Sequence, residues 1–303
     1  MLHLPIDDLP RIILFINGTR GKRVYESIKN LSRVVGFVYQ DKSFNLEIET
    51  TLPFFCYDGK NTLELSEFVI SLKPKLCIVA GFSHILSPEI IEIPEHGFWN
   101  LHAGRVPKYR GGSPLNWQMI NGEKYAGVSI LKMTSGIDDG SVLGNAEIKV
   151  MNEDTILDLH NKVNNLFPEL LIPLILDINR SGLQAKAQDS LKANYWHQRN
   201  EADGNVDWWG LNSDQIFNFV RAITKPYPGA FGYLSNHQKI RIWKVKVDSI
   251  PIRGVPGRMV KLADGFHVPC GKGGSVLFLE FDAQSPLKNG DRFQQCNFAI
   301  EKW

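Results

Sequence analysis

The first part of the chain alternates short, continuously apolar runs with stretches of helical periodicity. Strand candidates are RIILFING (11–18), RVVGFVYQD (33–41) and KLCIVAGF (75–82), and helical spacing marks TRGKRVYESIKNL (19–31) and LELSEFVISLKP (63–74). Apolar strands that alternate with helices are typical of a parallel sheet covered on both faces. The pattern therefore predicts a Rossmann-like, mainly parallel α/β domain, a fold class that hosts many functions.

The same pattern continues to about residue 180. Further strands are predicted at GFWNLHA (97–103), AGVSILKM (126–133) and GNAEIKV (144–150), with a short helix over 114–123 between the first two. A long helical stretch follows the capping residues Glu153-Asp154-Thr155. Pro168 and Pro173 lie inside that stretch and predict a kink or a break in the helix.

The pattern of hydrophobic and polar residues changes near residue 186. The polar, aromatic and unpatterned residues that follow predict a linker. Beyond it come one helix, predicted over 212–224, and short strands at roughly ten-residue spacing, which favour a small β-rich domain of the OB-like open-barrel type. We therefore expect a Rossmann-like domain over 1–186, a linker over 187–210 and a β-rich domain over 211–303.

Composition excludes several classes of protein. The chain is 43% hydrophobic and 22% charged, as in ordinary globular proteins, and its net charge of +2 is too small to indicate a polyanionic partner. No apolar run is long enough to cross a membrane, and the N-terminus has acids before its apolar run, the reverse of a secretory signal. The cysteines have no metal-like spacing and predict reduced thiols in a cytoplasmic protein without a metal site: Cys56, Cys77, Cys270 and Cys296.

Two polar residues interrupt the predicted strand at 97–103. Asn100 and His102 are two positions apart, so they lie on one face of the strand and at its carboxyl end. That end is where open α/β sheets bind ligands. The loop after it, GRVPKYRGGSP (104–114), offers glycines for a close backbone approach and the cations Lys108 and Arg110 for an anion. A core histidine and a turn asparagine would explain the same residues, so the pattern alone leaves both interpretations open.

A second polar turn, GIDDG (136–140), follows the next predicted strand. Asp-Gly is a strong turn signal, but a turn does not need two acids. If the two strands are neighbours, the carboxylate of Asp138 or Asp139 can reach His102. An Asn, a His and an Asp in one cleft suit acyl transfer to an amine, since Asn stabilises an oxyanion by about 3 kcal/mol and His moves a proton. Direct transfer needs no Ser or Cys nucleophile.

Three ordered blocks, N-L-H, P-K-Y-R-G-G-S-P and G-V-S-I-L-K-M-T-S-G-I-D-D-G, resemble the formyltransferase family that uses 10-formyltetrahydrofolate. The family includes methionyl-tRNA formyltransferase, glycinamide ribonucleotide transformylase and sugar N-formyltransferases. Weaker resemblance continues through AQD (187–189), DGNVDW (203–208) and RAITKPYPGAF (221–231). Those blocks look like the linker and C-terminal domain of methionyl-tRNA and aminoarabinose formyltransferases, a domain that the glycinamide ribonucleotide enzyme lacks.

The resemblance implies roles for individual residues. The family's catalytic Asn, His and Asp correspond to Asn100, His102 and Asp138. Its folate pocket lies along AGFSHILSP (80–88) and the loop around Asp138, with the pterin bonded to backbone near Ile85 and Leu86. The residues implied to contact 10-formyltetrahydrofolate are Phe82, Ile85, Leu86, Ile137 and Asp138.

One departure from the family bears on the acceptor. The common loop reads Ser-Leu-Leu-Pro, whereas this chain has Gly104-Arg105-Val106-Pro107, which is more similar to sugar N-formyltransferases. The tRNA enzymes also carry a basic insertion where this chain is mainly acidic, with Asp41, Glu47, Glu49 and Asp58 against Lys42. Residues 201–303 have only a mild basic excess. These features favour a small anionic acceptor over a nucleic acid.

The resemblance thus implies transfer of a formyl group from 10-formyltetrahydrofolate to the amine of a dTDP- or UDP-linked aminodeoxy sugar, for surface polysaccharide such as O-antigen. We expect a cytoplasmic enzyme, as a homodimer, with no membrane contact. Candidate groups for the nucleotide-linked sugar are Thr19, Arg20, Arg105, Lys108, Arg110, Gly111, Lys225 and Tyr227. The alternatives are a methionyl-tRNA formyltransferase, a formyltetrahydrofolate hydrolase and a non-enzymatic folate- or nucleotide-binding module.

Overall fold

The computed structural model describes residues 9–40, 51–178 and 184–295, which divide into two units. The first unit takes its described residues from Met1–Pro114, Tyr125–Ile148 and His160–Trp196. The second takes them from Leu115–Lys124, Lys149–Leu159 and His197–Trp303. Because the chain passes between the units more than once, no single point separates them. The boundaries expected at residues 186 and 210 stay predictions.

A seven-stranded sheet forms the centre of the first unit. The strands of this unit, including two short ones outside the sheet, are β1 (Arg11–Ile16), β2 (Arg33–Tyr39), β3 (Phe54–Cys56), β4 (Leu76–Ala80), β5 (Phe98–His102), β6 (Arg110–Gly111), β7 (Tyr125–Lys132), β8 (Val142–Lys149) and β9 (Tyr195–Trp196). The sheet order is β3-β2-β1-β4-β5-β7-β8, parallel from β3 to β5 and antiparallel between β5 and β7. The predicted Rossmann-like, mainly parallel sheet is confirmed.

The sheet order determines where a ligand can approach. β1 lies between β2 and β4, so the chain changes direction of winding at the β1–β4 pair, and α/β sheets bind ligands outside the carboxyl ends of strands at such a point. β5 is the next strand along, and its Asn100 is opposite Val79, one residue before the end of β4. Asn100 and His102 therefore lie at the ligand-binding edge of the sheet.

Six α-helices are present in the described residues: α1 (Gly18–Ile28), α2 (Thr62–Leu72), α3 (Pro88–Ile91), α4 (Pro114–Ile120), α5 (Ile156–Asp177) and α6 (Ser213–Ile223). None of them is long and apolar enough to cross a bilayer. α5 continues through both of its prolines, so the break is wrong, and the kink, which was the alternative, stays a prediction. Its buried face repeats every four residues, at Val163, Phe167, Leu171 and Ile175. Burial of each such side chain stabilises the helix by about 1.5–3 kcal/mol, which offsets a proline penalty of about 3 kcal/mol.

The pattern of apolar residues missed the shortest elements. β3 and α3 have three and four residues, and β6 and β9 have two each. β6 and β9 pair in parallel, Arg110 with Tyr195 and Gly111 with Trp196. Strands this short have no readable periodicity, because only the pairing defines them. The stretch expected to be an unpatterned linker thus contains β9, with 3₁₀ turns at Ser190–Lys192 and Glu201–Gly204.

The second unit is built on an antiparallel sheet packed with α6. Its strands are β10 (Ala230–Tyr233), β11 (Lys239–Val247), β12 (Val260–Leu262), β13 (Gly265–Pro269) and β14 (Ser275–Ala283), in the order β10-β11-β14-β13-β12. A capping box between Asn212 and Gln215 begins α6. Trp208 is fully buried and stacks on Phe293 at a ring-centroid distance of 4.9 Å. The predicted β-rich second domain is confirmed.

Candidate active site

Asn100, His102 and Asp138 meet at the carboxyl edge of the first unit's sheet. The Nδ2 atom of Asn100 donates a hydrogen bond to Oδ1 of Asp138 at 3.0 Å. Nδ1 of His102 lies 3.4 Å from Oδ2 of the same carboxylate. Alternation along β5 explains the arrangement, because Trp99 and Leu101 are buried on the other side of the strand. One carboxylate therefore bridges the amide and the imidazole.

The turn after β7 separates the roles of its two acids. Asp139 accepts a hydrogen bond from the hydroxyl of Thr134, and a Cβ at Gly136 would collide with the Asp139 carboxylate. Asp139 therefore holds the turn together. Asp138 has a φ of +49°, a left-handed conformation that is unusual for a residue other than glycine. This conformation leaves the Asp138 side chain facing Asn100 and His102.

Both ring nitrogens of His102 face oxygen atoms. Nε2 lies 2.6 Å from the carbonyl oxygen of Tyr109, and because a carbonyl only accepts, Nε2 must carry a hydrogen. Nδ1 faces the carboxylate of Asp138. The ring is 6% exposed, so protein atoms rather than water determine its tautomer. Nδ1 is then the ring nitrogen that faces the carboxylate of Asp138.

Gly111 supplies the remaining contact to Asp138. Its backbone N–H donates to Oδ2 at 2.9 Å. Gly111 has a φ of +89°, and a Cβ there would collide with the carbonyl oxygen of Trp196. Only glycine fits this position, because it combines a left-handed backbone with a close chain contact. The structure thus places Gly111, a residue predicted to bind substrate, against the carboxylate of Asp138.

The three cations of the loop between β5 and α4 differ in their surroundings. Arg105 pairs with Glu147 at 2.9 Å and donates to the carbonyl of Tyr125 at 2.7 Å. Arg110 is 4% exposed, and Gln188 engages its guanidinium. Lys108 has an exposed side chain that forms no ion pair with the described residues. The structure therefore holds Arg105 and Arg110 against other protein groups and leaves Lys108 at the surface.

Thr19 and Arg20 belong to the first turn of α1, and the side chain of Arg20 reaches β5. Nε of Arg20 donates to Oδ1 of Asn164 at 3.1 Å, and Nδ2 of Asn164 donates to Oγ1 of Thr19 at 3.3 Å. The guanidinium lies 5.1 Å from the centre of the Phe167 ring, and Nη1 is 3.5 Å from the carbonyl oxygen of Leu101. Since Leu101 stands between the two site residues of β5, Arg20 brings positive charge to the back of the site.

The charge of Arg20 also affects the pKa of His160. Burial, with a smaller contribution from the charge of Arg20, lowers the pKa of His160 to about 4. Both effects disfavour the protonated ring. His160 is therefore neutral at neutral pH, which leaves Arg20 as the charged member of this pair.

The segment implied to hold folate follows β4. Phe82 is buried and lies edge-on to Phe15 at 5.5 Å and stacked over Tyr57 at 6.3 Å. Ile85 is 79% exposed, and across the described chain the backbone groups of Ile85 and Leu86 make no hydrogen bond to another residue. Leu86 is buried, and Ile137 is 52% exposed. Exposed apolar side chains beside free backbone groups suit a flat heterocycle with polar edges.

Two residues predicted to bind substrate, Lys225 and Tyr227, belong to the second unit. Nζ of Lys225 pairs with Glu280 at 3.0 Å and lies 5.0 Å from the centre of a Trp243 ring. The backbone N–H of Tyr227 donates to Thr224. These contacts are internal to the second unit, so a role for either residue toward the first unit's site stays a prediction.

Some residues named from the sequence lie outside the described ranges. They are Asp41, Lys42, Glu47 and Glu49 of the acidic stretch, and Cys296.

The three described cysteines are free, and burial raises the pKa of Cys270 to about 12 and that of Cys77 well above its usual range.

Sequence reasoning missed the contribution of the segment around residues 188–196. Nε2 of Gln188 donates to the carbonyls of Asp138 and Gly140, and the hydroxyl of Tyr195 accepts from Arg110. Nε1 of Trp196 donates to the carbonyl oxygen of Lys108 at 3.0 Å. The only signal was the AQD block in the resemblance, since aromatic residues in a polar stretch do not identify their partners.

Comparison with known proteins places both parts of the chain in one family. The family model described as formyl transferase matches residues 41–175, and the model of the formyl transferase C-terminal domain matches residues 199–291. The bifunctional polymyxin resistance protein ArnA of Wigglesworthia glossinidia brevipalpis is 39% identical over 199 residues, which are 65% of this chain and 30% of ArnA. This chain thus spans less than a third of that relative's length.

Two solved structures share the fold at low sequence identity. The N-formyltransferase of Helicobacter canadensis, in complex with folinic acid and dTDP-3-aminofucose, superposes with a TM-score of 0.68 at 18% identity, over 89% of this chain and 98% of its own. The methionyl-tRNA formyltransferase of Clostridium thermocellum gives a TM-score of 0.58 at 18% identity, over 79% and 94%. At these identities the likeness shows the fold and leaves the acceptor open.

Proposed function

We propose, since this chain belongs to the formyl transferase family, that it transfers a formyl group from 10-formyltetrahydrofolate to the amine of a dTDP- or UDP-linked aminodeoxy sugar. The observation that carries the proposal is the bridge from Asn100 through Asp138 to His102. It joins an amide donor, a carboxylate and an imidazole at the sheet edge where α/β proteins bind ligands.

In the proposed reaction the acceptor nitrogen attacks the formyl carbon. A C–N bond forms, and the carbonyl oxygen becomes an oxyanion. One N–H of Asn100 is used by Asp138, and its second N–H donates to this oxygen, an interaction worth about 3 kcal/mol in the transition state. Asn100 is only partly buried, so its amide can reach a substrate.

The intermediate then collapses with loss of the folate. The bond between the formyl carbon and N10 breaks, N10 gains a proton, and the acceptor nitrogen loses one. We assign this exchange to Asp138 and Nδ1 of His102, which lie 3.4 Å apart, because the carboxylate can accept a proton while the imidazole stabilises its charge. The carbonyl of Tyr109 keeps the ring oriented during the exchange.

The folate is proposed to lie along Phe82, Ile85 and Leu86, with Ile137 and Asp138 on the other side. Support comes from the exposed side chains of Ile85 and Ile137 and from the unbonded backbone at Ile85 and Leu86. These backbone groups offer donors and acceptors to the polar edge of a pterin. The Helicobacter canadensis structure of the same fold holds folinic acid.

For the acceptor's diphosphate we propose Lys108, Thr19 and Arg20, with Lys225 and Tyr227 as further candidates. Lys108 is exposed, and Nη1 of Arg20 lies 3.5 Å from the carbonyl oxygen of Leu101 in β5, between Asn100 and His102. Arg105 and Arg110 are assigned to holding the loop. The choice of dTDP or UDP, the fate of the product in surface polysaccharide, a cytoplasmic location and a homodimer belong to this proposal.

A panel of nucleotide-linked amino sugars with 10-formyltetrahydrofolate tests the proposal. We expect mass spectrometry to find a formamido product that is heavier than one of the amines by about 28 Da, because one formyl group replaces one hydrogen. Formylation of charged initiator tRNA with none on any sugar would assign the chain as a methionyl-tRNA formyltransferase instead. Formate release at full rate without an acceptor would indicate a hydrolase.

A further inference from the structure

Gln188 connects the two turns that form the site in the first unit. Its Nε2 donates to the carbonyl oxygens of Asp138 at 2.8 Å and Gly140 at 2.7 Å. Its Oε1 accepts from Nε of Arg110 at 3.0 Å. A single amide therefore contacts two segments. One is the turn that carries the Asp138 carboxylate, and the other is the loop that carries Arg110 and, directly after it, Gly111.

The orientation of the Gln188 amide is determined by its partners. A guanidinium can only donate, so the amide oxygen must face Arg110. The amide nitrogen must then face the two carbonyls, and both of its hydrogens are used. No other neutral side chain of this length supplies two donors and one acceptor in this way. The position thus requires a specific chemistry and not only a specific volume.

Asp138 needs such support because of its backbone. A residue other than glycine at a φ of +49° is strained by about 1–3 kcal/mol, and such a conformation persists where surrounding contacts fix it. The bonds from Gln188 fix the carbonyl groups of Asp138 and Gly140. The bond from Gly111 fixes the carboxylate. Asp138 is therefore held at its backbone carbonyl by Gln188 and at its carboxylate by Gly111.

Arg110 and Tyr195 extend the same connection. Arg110 is 4% exposed, its Nη1 donates to the hydroxyl of Tyr195 at 2.7 Å, and its guanidinium carbon lies 5.4 Å from the Tyr195 ring centre. Tyr195 itself is 59% exposed and Leu191 is 96% exposed, so this segment adds little to the hydrophobic core. Its contacts are made with Arg110 and with Lys108, both in the loop between β5 and α4.

We infer that Gln188 is a positioning residue for Asp138, with Arg110 and Tyr195 holding Gln188 in place. The inference rests on the proposed formyl transfer for its kinetic consequences, but the geometry of the His102–Asp138 pair can be measured without activity. Gln188 touches no reacting atom; it acts by keeping the carboxylate between the amide of Asn100 and the ring of His102.

The test compares two substitutions of Gln188 in the full chain. Gln188→Met removes all three hydrogen bonds at similar volume, and Gln188→Glu keeps an acceptor for Arg110 but loses the donors to Asp138 and Gly140. We expect both to lower kcat about 10- to 100-fold, the size of a small misplacement of a catalytic group, while KM for both substrates stays within about twofold. Gln198→Met is the matched control, because that side chain is exposed.

Tyr195→Phe keeps the inference testable if substitutions of Gln188 fail to fold. We expect a smaller loss of kcat, about threefold, with KM unchanged, and a Tyr195→Phe enzyme with normal kcat would contradict the connection. Where Gln188→Met does fold, we expect the double variant to be no slower than Gln188→Met alone, since both substitutions act through one connection. Multiplicative losses in the double variant would overturn the inference. So would a Gln188→Glu enzyme with normal kcat, because anchoring of Arg110 would then be sufficient.

Nuclear magnetic resonance of the His102 ring separates this inference from the proposed function. We expect the ring nitrogen signals to move in Gln188→Met and to stay in place in Gln198→Met. If wild-type protein formylates no amine yet shows this difference, the proposed function fails and the positioning role stands. Unchanged His102 signals in Gln188→Met would reject the positioning role whatever the activity.

Discussion

The two units each contain a buried histidine beside a carboxylate, and the comparison shows how the surroundings of two such pairs differ. His102 of the first unit is 6% exposed and His267 of the second is 5% exposed. Nδ1 of His267 lies 3.0 Å from Asp248, and Nε2 lies 2.9 Å from Asp264. Nδ1 of His102 faces a carboxylate, whereas its Nε2 faces a carbonyl.

The surroundings of the carboxylates explain the difference. The second oxygen of Asp248 accepts from the fully buried hydroxyl of Ser275, so the buried His267–Asp248 pair has its polar atoms paired. Asp264, in the turn before β13, is exposed. Asp138 shares its oxygens with Gly111 and with Asn100, which keeps a second N–H for a substrate. A histidine–carboxylate pair therefore indicates chemistry only where a neighbour retains free hydrogen-bonding capacity at a ligand-binding edge.

The largest predicted effect comes from substitutions of Asn100, His102 and Asp138. We expect Asn100→Ala, His102→Asn and Asp138→Ala each to lower kcat by roughly 100- to 10,000-fold, because oxyanion stabilisation and proton transfer contribute on that scale. Steady-state kinetics measures the loss, and calorimetric titration with 5-formyltetrahydrofolate should show retained folate binding in Asn100→Ala and His102→Asn, which replace no residue proposed to contact the folate. Near wild-type turnover in any variant would remove the role assigned to that residue.

His267→Asn is the converse experiment in the second unit. Breaking a buried ion pair costs about 3–5 kcal/mol, so we expect a lower free energy of unfolding with kcat unchanged well below Tm. Burial lowers the pKa of His267, but hydrogen bonds to Asp264 and Asp248 outweigh it and raise that pKa. Urea unfolding should therefore show a stabilising contribution that is complete below about pH 6.5 and is lost as pH rises further. A kcat as low as that of His102→Asn would make the two pairs equivalent.

His160 should respond to pH in the opposite sense. Its pKa is lowered to about 4, so its folded form favours the neutral ring, and the contribution to stability is present above about pH 6.5 and is lost as pH falls toward 4. The shift corresponds to about 3 kcal/mol at most. Urea unfolding of wild type and His160→Gln across this range checks it. Equal acid sensitivity of the two proteins would contradict the prediction.

The smallest effect tests how the reactive carboxylate is held. Gly111→Ala adds about 1–3 kcal/mol of strain at a φ of +89° and forces a methyl group against the Trp196 carbonyl. We expect a lower Tm together with a kcat reduced about tenfold. Gly273→Ala is the matched control, since its φ is +105° and no atom lies near an added Cβ. Equal loss of kcat in both variants would mean that backbone strain alone is responsible.

Much of the fold was readable from local pattern. The strands that became β1, β2, β4, β5 and β7 are buried and apolar, and burial on both faces requires that pattern wherever the strand pairs. β3 was not predicted because it has only three residues. The break expected at Pro168 and Pro173 did not occur, because burial of the apolar face of α5 stabilises the helix by more than the prolines destabilise it.

Alternation along β5 also determined, from sequence alone, that Asn100 and His102 share a face, because side-chain direction in a strand has a period of two. Local pattern left Asp138 and Asp139 open, the family resemblance pointed to Asp138, and the tertiary structure shows that Asp138 reaches Asn100 and His102. Only tertiary structure decided that Arg110 is buried against Gln188 and Tyr195. Those partners are 78 and 85 residues away along the chain. Local periodicity reports burial and direction, whereas the identity of a distant partner depends on pairing that forms only when the whole chain folds.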